Sequence, residues 1–336
     1  VLTAQQVRAT VAAIAAEQLP DGALPWSRHA QLDAWDSVEA AMALDVGGAH
    51  DRAAAAYTWL ADHQRPDGSW AVEYRGGRVT APAAESNHAG YLAVGVWHHW
   101  LSTGDEAAVL RLWPAVRGAL DLVTAMQLPS GAISWALRPD GRPDATALLT
   151  GNASLFQALR CGIALAELCD QPQPHWDLAT ADLRVALRER PEAFADRSRY
   201  SMDWYYPVLS GAVTGCAADD RLAAGWDTFV VPGLGVRCVA DRPWVTGAET
   251  CELALALTAV GRRDAATEQL ASMQHLRAED GSYWTGLVYA DAARWPVERT
   301  TWTAAAVVLA ADALTGAGPA AALFADPASL APTAPG

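Results

Sequence analysis

The stretch HQRPDGSW, residues 63–70, decides how this chain is read. A helical pattern runs into it, Pro66 and Gly68 break that pattern, and Trp70 follows at once. The same punctuation returns in EQLPDGALPW (17–26), MQLPSGAISW (126–135) and LRAEDGSYWT (276–285). The turn glycines Gly22, Gly68, Gly131 and Gly281 are separated by 46, 63 and 150 residues, and the last gap is three steps of about fifty. Two degenerate units are therefore expected between 135 and 275. Six units in 336 residues leave 56 for each, the size of a helix pair with its connections.

Apolar periodicity fills in the pairs. Outer helices are expected near 3–17, 50–63, 106–126, 178–190, 217–224 and 262–275. Blander partners, rich in Ala and Leu and poor in charge, are expected near 31–46, 86–103, 150–169, 202–215, 247–260 and 298–315. Helices apolar on most faces are buried ones. Six pairs of alternating surface and buried helices close into an all-α (α/α)6 barrel of six helical hairpins. No shift in composition divides residues 1–336, so a single domain is expected. In each repeat, Gln caps the outer helix, the glycine makes the turn, and Trp anchors the loop before the inner helix. The segment FVVPGLGVRCVADRPWVTG (229–247) has a β-like run and reads as a long, shaped loop.

Composition narrows the function. Net charge is −14, all 24 basic residues are Arg, and a surface of that sign repels phosphate backbones, so no nucleic-acid partner is expected. The absence of Lys and abundance of Ala fit a high-GC coding bias. Fifteen Trp against four Phe is the unusual feature. Indole rings fill cores, but they also make flat apolar platforms with a polar N–H, which suit sugar rings. The five scattered Cys fit reduced thiols better than a disulfide framework, and with an opening helix that lacks a basic leader they point to the cytoplasm. No membrane span is expected, nor a metal, since the eight His have no ligand spacing. P-loop, dinucleotide, HExxH and GxSxG signatures are absent, and no cofactor is expected.

In such a barrel the loops before the inner helices surround one mouth. The first supplies Trp26 and LDAWDS (32–37), with Asp33 and Asp36 on one helical face beside Trp35. The second supplies Asn87 and His88 in ESNHAGY, and the third Asn152 in TGNAS. The fourth is SMDWYYP, where Asp203 precedes Trp204, Tyr205 and Tyr206; the fifth places Glu249 and Glu252 in WVTGAETCEL; the sixth offers Glu298 and Trp302 in WPVERTTW. An acid that opens a helix is commonly just a cap. Yet a glycosidase needs two carboxyls, one to protonate the leaving oxygen and one to activate water or attack the sugar. Asp33, Asp36 and Glu249 are the candidates for that work. The other residues are candidates for holding a poly- or oligosaccharide.

The repeated Gln-to-Trp punctuation resembles the QW motif of squalene cyclases, and similar punctuation occurs in glycosidases built from the same hairpins. A protonating cyclase would carry DxDD, from which Asp33-Ala-Trp-Asp36 departs, and the zinc ligands of a prenyltransferase subunit are missing. LDAWDSVEAAMAL (32–44) is instead similar to an inner-helix stretch of glucoamylase-like enzymes, Trp-x-Arg-Asp-Ser, with Trp35 where those have Arg. There the acid matching Asp36 grips sugar hydroxyls. The whole pattern resembles the six-hairpin glycosidases, among them the mycobacterial methylmannose polysaccharide hydrolases. That resemblance implies an endo-acting, inverting, cytosolic hydrolase of α-(1→4)-linked 3-O-methylmannose chains, and a monomer or a dimer is expected. A hydrolase of a small glycoside such as glucosylglycerate shares the barrel. An isoprenoid enzyme and a non-catalytic glycan-binding barrel are the alternatives.

Overall fold

The computed structural model describes residues 2–327 and Leu330. The chain starts with α1 (Ala4–Glu17), capped by Thr3 and Gln6 in a reciprocal box, and α2 (Ala34–Val46), capped by Asp33. There follow α3 (His50–Asp62), α4 (Ser86–Gly90) with α5 (Leu92–Thr103), and α6 (Glu106–Ala125). Next come α7 (Leu149–Leu168), α8 (Pro174–Glu189), α9 (Ser201–Leu209) and α10 (Cys216–Phe229). The last are α11 (Gly247–Ala259), α12 (Arg263–Ser272), α13 (Thr301–Thr315) and the short α14 (Ala322–Ala325).

The inner helices pack in a closed ring: α2 on α5, α5 on α7, α7 on α9, α9 on α11, α11 on α13, and α13 back on α2. Their composition explains this. Twelve of the thirteen residues of α2 are buried, as are nearly all of α11 and α13, because Ala lets neighbours approach on every face. The outer helices α1, α3, α6, α8, α10 and α12 bury only one stripe each. The architecture is the expected barrel of six hairpins.

The repeated word proves to be a staple between neighbouring hairpins. Gln64 donates its amide to Gly68 O in its own turn, at 3.0 Å, and to Ala115 O on α6, at 2.8 Å. Gln18 bridges Gly22 and Arg52 on α3, and Gln127 bridges Gly131 and Ala179 on α8, in the same way. Gln274 departs, turning back to Leu270 O on α12. The other three close their own outer helices through the backbone, with Gln18 N on Ala15 O, Gln64 N on Ala61 O and Gln127 N on Thr124 O, and spend their side chains on the next hairpin. Gly68 has φ +89°, and a Cβ would strike the Gly118 carbonyl of α6. A side chain there is excluded both by backbone conformation and by contact. Gly281 closes the circle against Ala9 of α1, where Thr10 donates to Gly281 O at 2.9 Å. Among the four Trp of the repeats, Trp70 is the deeply buried anchor, with its N–H on Leu60 O.

Several helix boundaries shift from the sequence reading, α10 for one running to Phe229 rather than 224, and two differences are the largest. α9 ends at Leu209, six residues early, because the chain turns back through Gly211 (φ +74°) and Val213 N bonds Pro207 O. The segment 229–247 is more than a loop. Residues 230–231, 235–237 and 244–246 join 286–288 and 293–294 in a five-stranded antiparallel sheet at the mouth end. Among the described residues no helix is long and apolar enough to cross a membrane.

Candidate active site

A cleft of about 350 Å³ opens where the inner helices begin. Its wall includes Trp26, Asp33, Trp35, Asp36, Asn87, His88, Asp203 and Trp302, contributed by α2, α4, α9, α13 and the loop before α2. A larger groove of about 600 Å³ lies beside it, but Asp33, Asp36 and Asp203 line the smaller space.

Asp33 and Asp36 share a helical face yet differ in what is left to them. Asp33 receives Asp36 N at 2.9 Å on one oxygen and the Trp26 indole N–H at 2.9 Å on the other. It is a working N-cap that also sets the Trp26 ring. The Asp36 side chain lies buried at the cleft wall. Burial first, then the charges of Asp33 and Glu39, push its pKa well above the usual carboxylate range. Its surroundings therefore favour the protonated form more than those of an ordinary aspartate. That is a general acid's condition.

Glu39 lies one turn below and was not singled out by sequence. It accepts the Trp35 indole N–H at 2.8 Å and the Tyr91 hydroxyl at 3.3 Å, and burial raises it to about 7. The Trp35 ring stacks on Tyr91, with centroids 4.8 Å apart, and meets the edge of Tyr206 at 5.7 Å. Its orientation is thus fixed from behind. The spacing from Trp35, four residues along one helix, was the available signal.

Glu249 and Glu252 lie on α11, both buried and both outside the cleft lining. Glu252 takes the Tyr205 hydroxyl, and burial together with Glu39 and Glu249 raises its pKa well above normal. One oxygen of each glutamate, Oε2 of Glu249 and Oε1 of Glu252, has no hydrogen-bond partner. A buried carboxylate oxygen in that state needs water or a ligand. Asp203 accepts from the Thr150 hydroxyl at 2.6 Å and is raised by burial. His88 stands 3.9 Å from Glu85, and its Nδ1 is unpartnered.

The remaining candidates lie elsewhere. Asn152 spends its amide on Ile133 N, Ile133 O and Leu148 O, which ties the turn after α6 to α7. Trp204 faces outward, stacked on Phe229 with its N–H on Arg221 O. Tyr205 and Tyr206 form the buried layer behind the wall. Glu298 lines the neighbouring groove. The cleft also contains Glu85, Thr150, Arg197, Tyr200 and Met202. Arg197 sits 4.5 Å over the Tyr200 ring, and the word DRSRY just before α9 was its signal. Among the described residues no three His, Cys, Asp or Glu side chains group as metal ligands would.

The fold is that of the six-hairpin glycosidases. A wild-type glycosidase structure superposes with a TM-score of 0.75 at 16% identity, over 93% of this chain and 96% of its own. A GH63 mannosylglycerate hydrolase from Thermus thermophilus superposes with a TM-score of 0.67 at 14% identity, over 89% and 98%. No family model matches the sequence. In sequence the chain is 55% identical over 324 residues to the MMP endo-(1,4)-3-O-methyl-alpha-D-mannosidase of Mycolicibacterium hassiacum, covering 96% of this chain and 90% of that one. The chain belongs to that family and is a glycoside hydrolase.

Proposed function

We propose that the chain cleaves α-(1→4) bonds inside a 3-O-methylmannose polysaccharide, by inversion, with Asp36 as proton donor. The observation that carries this reading is the buried Asp36, beside Asp33 and Glu39, on a cleft walled by Trp26, Trp35 and Trp302. The substrate is neutral and partly methylated. Indole faces accept its methyl groups and C–H faces, while Asp33, Asn87, His88 and Asp203 offer partners for its free hydroxyls.

In the step itself the Asp36 carboxyl gives its proton to the glycosidic oxygen. The C1–O bond breaks and its electron pair goes to that oxygen. A water adds to C1 from the opposite face and passes its proton to a second carboxylate. Glu249 is the proposed acceptor: it lies behind the cleft lining, and its buried, unpartnered Oε2 supports a water held between it and the cleft. Asp33, with both oxygens occupied, keeps Asp36 and Trp26 in place.

The test is product analysis by mass spectrometry on methylmannose polysaccharide, with unmethylated α-(1→4)-mannan and maltooligosaccharides as controls. Methylated fragments of intermediate length support internal cleavage of the methylated chain. Monosaccharide release alone, or preference for either control, would refute it.

A further inference from the structure

We infer that the groove beside the cleft, between α1 and the start of α13, is a second binding site for the same glycan chain, which carries the polymer away from the point of cleavage. This rests on the substrate reading above. The groove holds about 600 Å³ and lies at the same end of the barrel as the cleft. The two are neighbours across one strip of backbone. Ser27 and Thr301 line the groove, while their chain neighbours Trp26 and Trp302 line the cleft. That strip is tied down, with Thr301 N on Trp26 O and Thr301 Oγ1 on Pro25 O, both at 2.8 Å. The ridge is these two bonded backbone segments, whose axes lie roughly 5 Å apart, a span that a polymer crosses and a lone sugar does not.

The groove's chemistry matches a neutral, methylated glycan. One wall is the small apolar face of α1 around Ala12, Ala13 and Ala16. The other carries Trp284, with the Arg299 guanidinium 5.3 Å over its ring and held there by Asp280 at 2.8 Å and Ser282 at 2.9 Å. Among the described residues five large apolar side chains stand exposed, and two of them, Trp295 and Val297, lie on one loop that brings Val297 to the groove. Glu17, Asp280 and Glu298 leave the lining acidic despite Arg299, which disfavours an anionic polymer. An internally cleaving enzyme must hold chain on both sides of the broken bond, and the cleft alone is small for that.

Two exposed positions test the idea away from the cleft, Val297→Asp on the rim and Ala12→Glu on α1. Each variant would be compared with the unmodified protein on the full methylmannose polysaccharide and on a short methylated oligosaccharide. We expect KM for the polysaccharide to rise about fivefold or more, with kcat and the oligosaccharide KM unchanged. An unchanged polysaccharide KM, or an equal rise for both substrates, would overturn the proposal. If the unmodified protein cleaves neither substrate, the substrate reading itself fails and the groove's assignment falls with it.

Discussion

The indole N–H of Trp35 meets Glu39 Oε1 at 2.8 Å, one helical turn below, and this bond fixes the ring that walls the cleft beside Asp36. Glu39 is thus a positioning residue with a titration of its own. Its folded pKa, about 7, lies above the ordinary 4.5. The stability tied to neutral Glu39 is complete below pH 4.5 and is lost as pH rises through about 7. Glu39→Gln keeps an acceptor for the indole and cannot ionise. Thermal melts should show the variant gaining on the parent by on the order of 2–3 kcal/mol between pH 5 and pH 8. A constant difference across that range would contradict the assignment.

The same pair predicts a movement of the pH–rate profile. Asp36 acts protonated, so kcat/KM should fall as pH rises through its elevated pKa. The negative charge of Glu39 helps to hold that pKa up. In Glu39→Gln the alkaline limb should therefore move to lower pH, while kcat at the acid end of the plateau changes little. A limb that stays in place would separate Glu39 from Asp36.

Asp33 should behave as a cap. Asn replaces Asp well at an N-cap, and Ala does not. Asp33→Asn should keep most of the stability, and Asp33→Ala should lose about 1 kcal/mol and loosen Trp26, raising KM more than it lowers kcat. Melting curves and steady-state rates on the two variants check this. A collapse of kcat in Asp33→Asn with intact stability would instead place Asp33 in proton transfer.

The staple makes a prediction about the barrel. Gln64→Ala leaves Gly68 O and Ala115 O without their shared donor and should cost about 2 kcal/mol. Gly68→Ala should cost more, because the side chain meets both a positive φ and the α6 backbone. Denaturant unfolding of both variants would show it, and equal losses would argue against the contact with α6.

The barrel was legible because its determinants are local. A Gln, a glycine turn and an aromatic recur at each early hairpin, and the Ala-rich helices advertise their burial. The second bond of each Gln was not legible, since Arg52, Ala115 and Ala179 are partners through backbone carbonyls, which carry no sequence signature. The mouth residues were found where inner helices begin, but the direction of a side chain depends on neighbours. Trp204 and Asp203 are adjacent, yet one packs outward on Phe229 and the other lines the cleft. Asn152 resembles a sugar ligand and is spent on backbone. The sheet around 229–247 was half visible as a β-like run. Its partners at 286–288 and 293–294 lie across a helical hairpin, so its extent depended on tertiary pairing.

The most direct measurement is the rate of polysaccharide cleavage by Asp36→Asn, with its melting temperature recorded beside it. Asparagine preserves the shape of the side chain and has no acidic proton to give. General acid catalysis supplies roughly 10²–10⁴ of an enzyme's rate, so kcat should fall by about 10³ while the protein stays folded. A folded Asp36→Asn that keeps kcat within tenfold of the parent would contradict the assignment of Asp36 as proton donor.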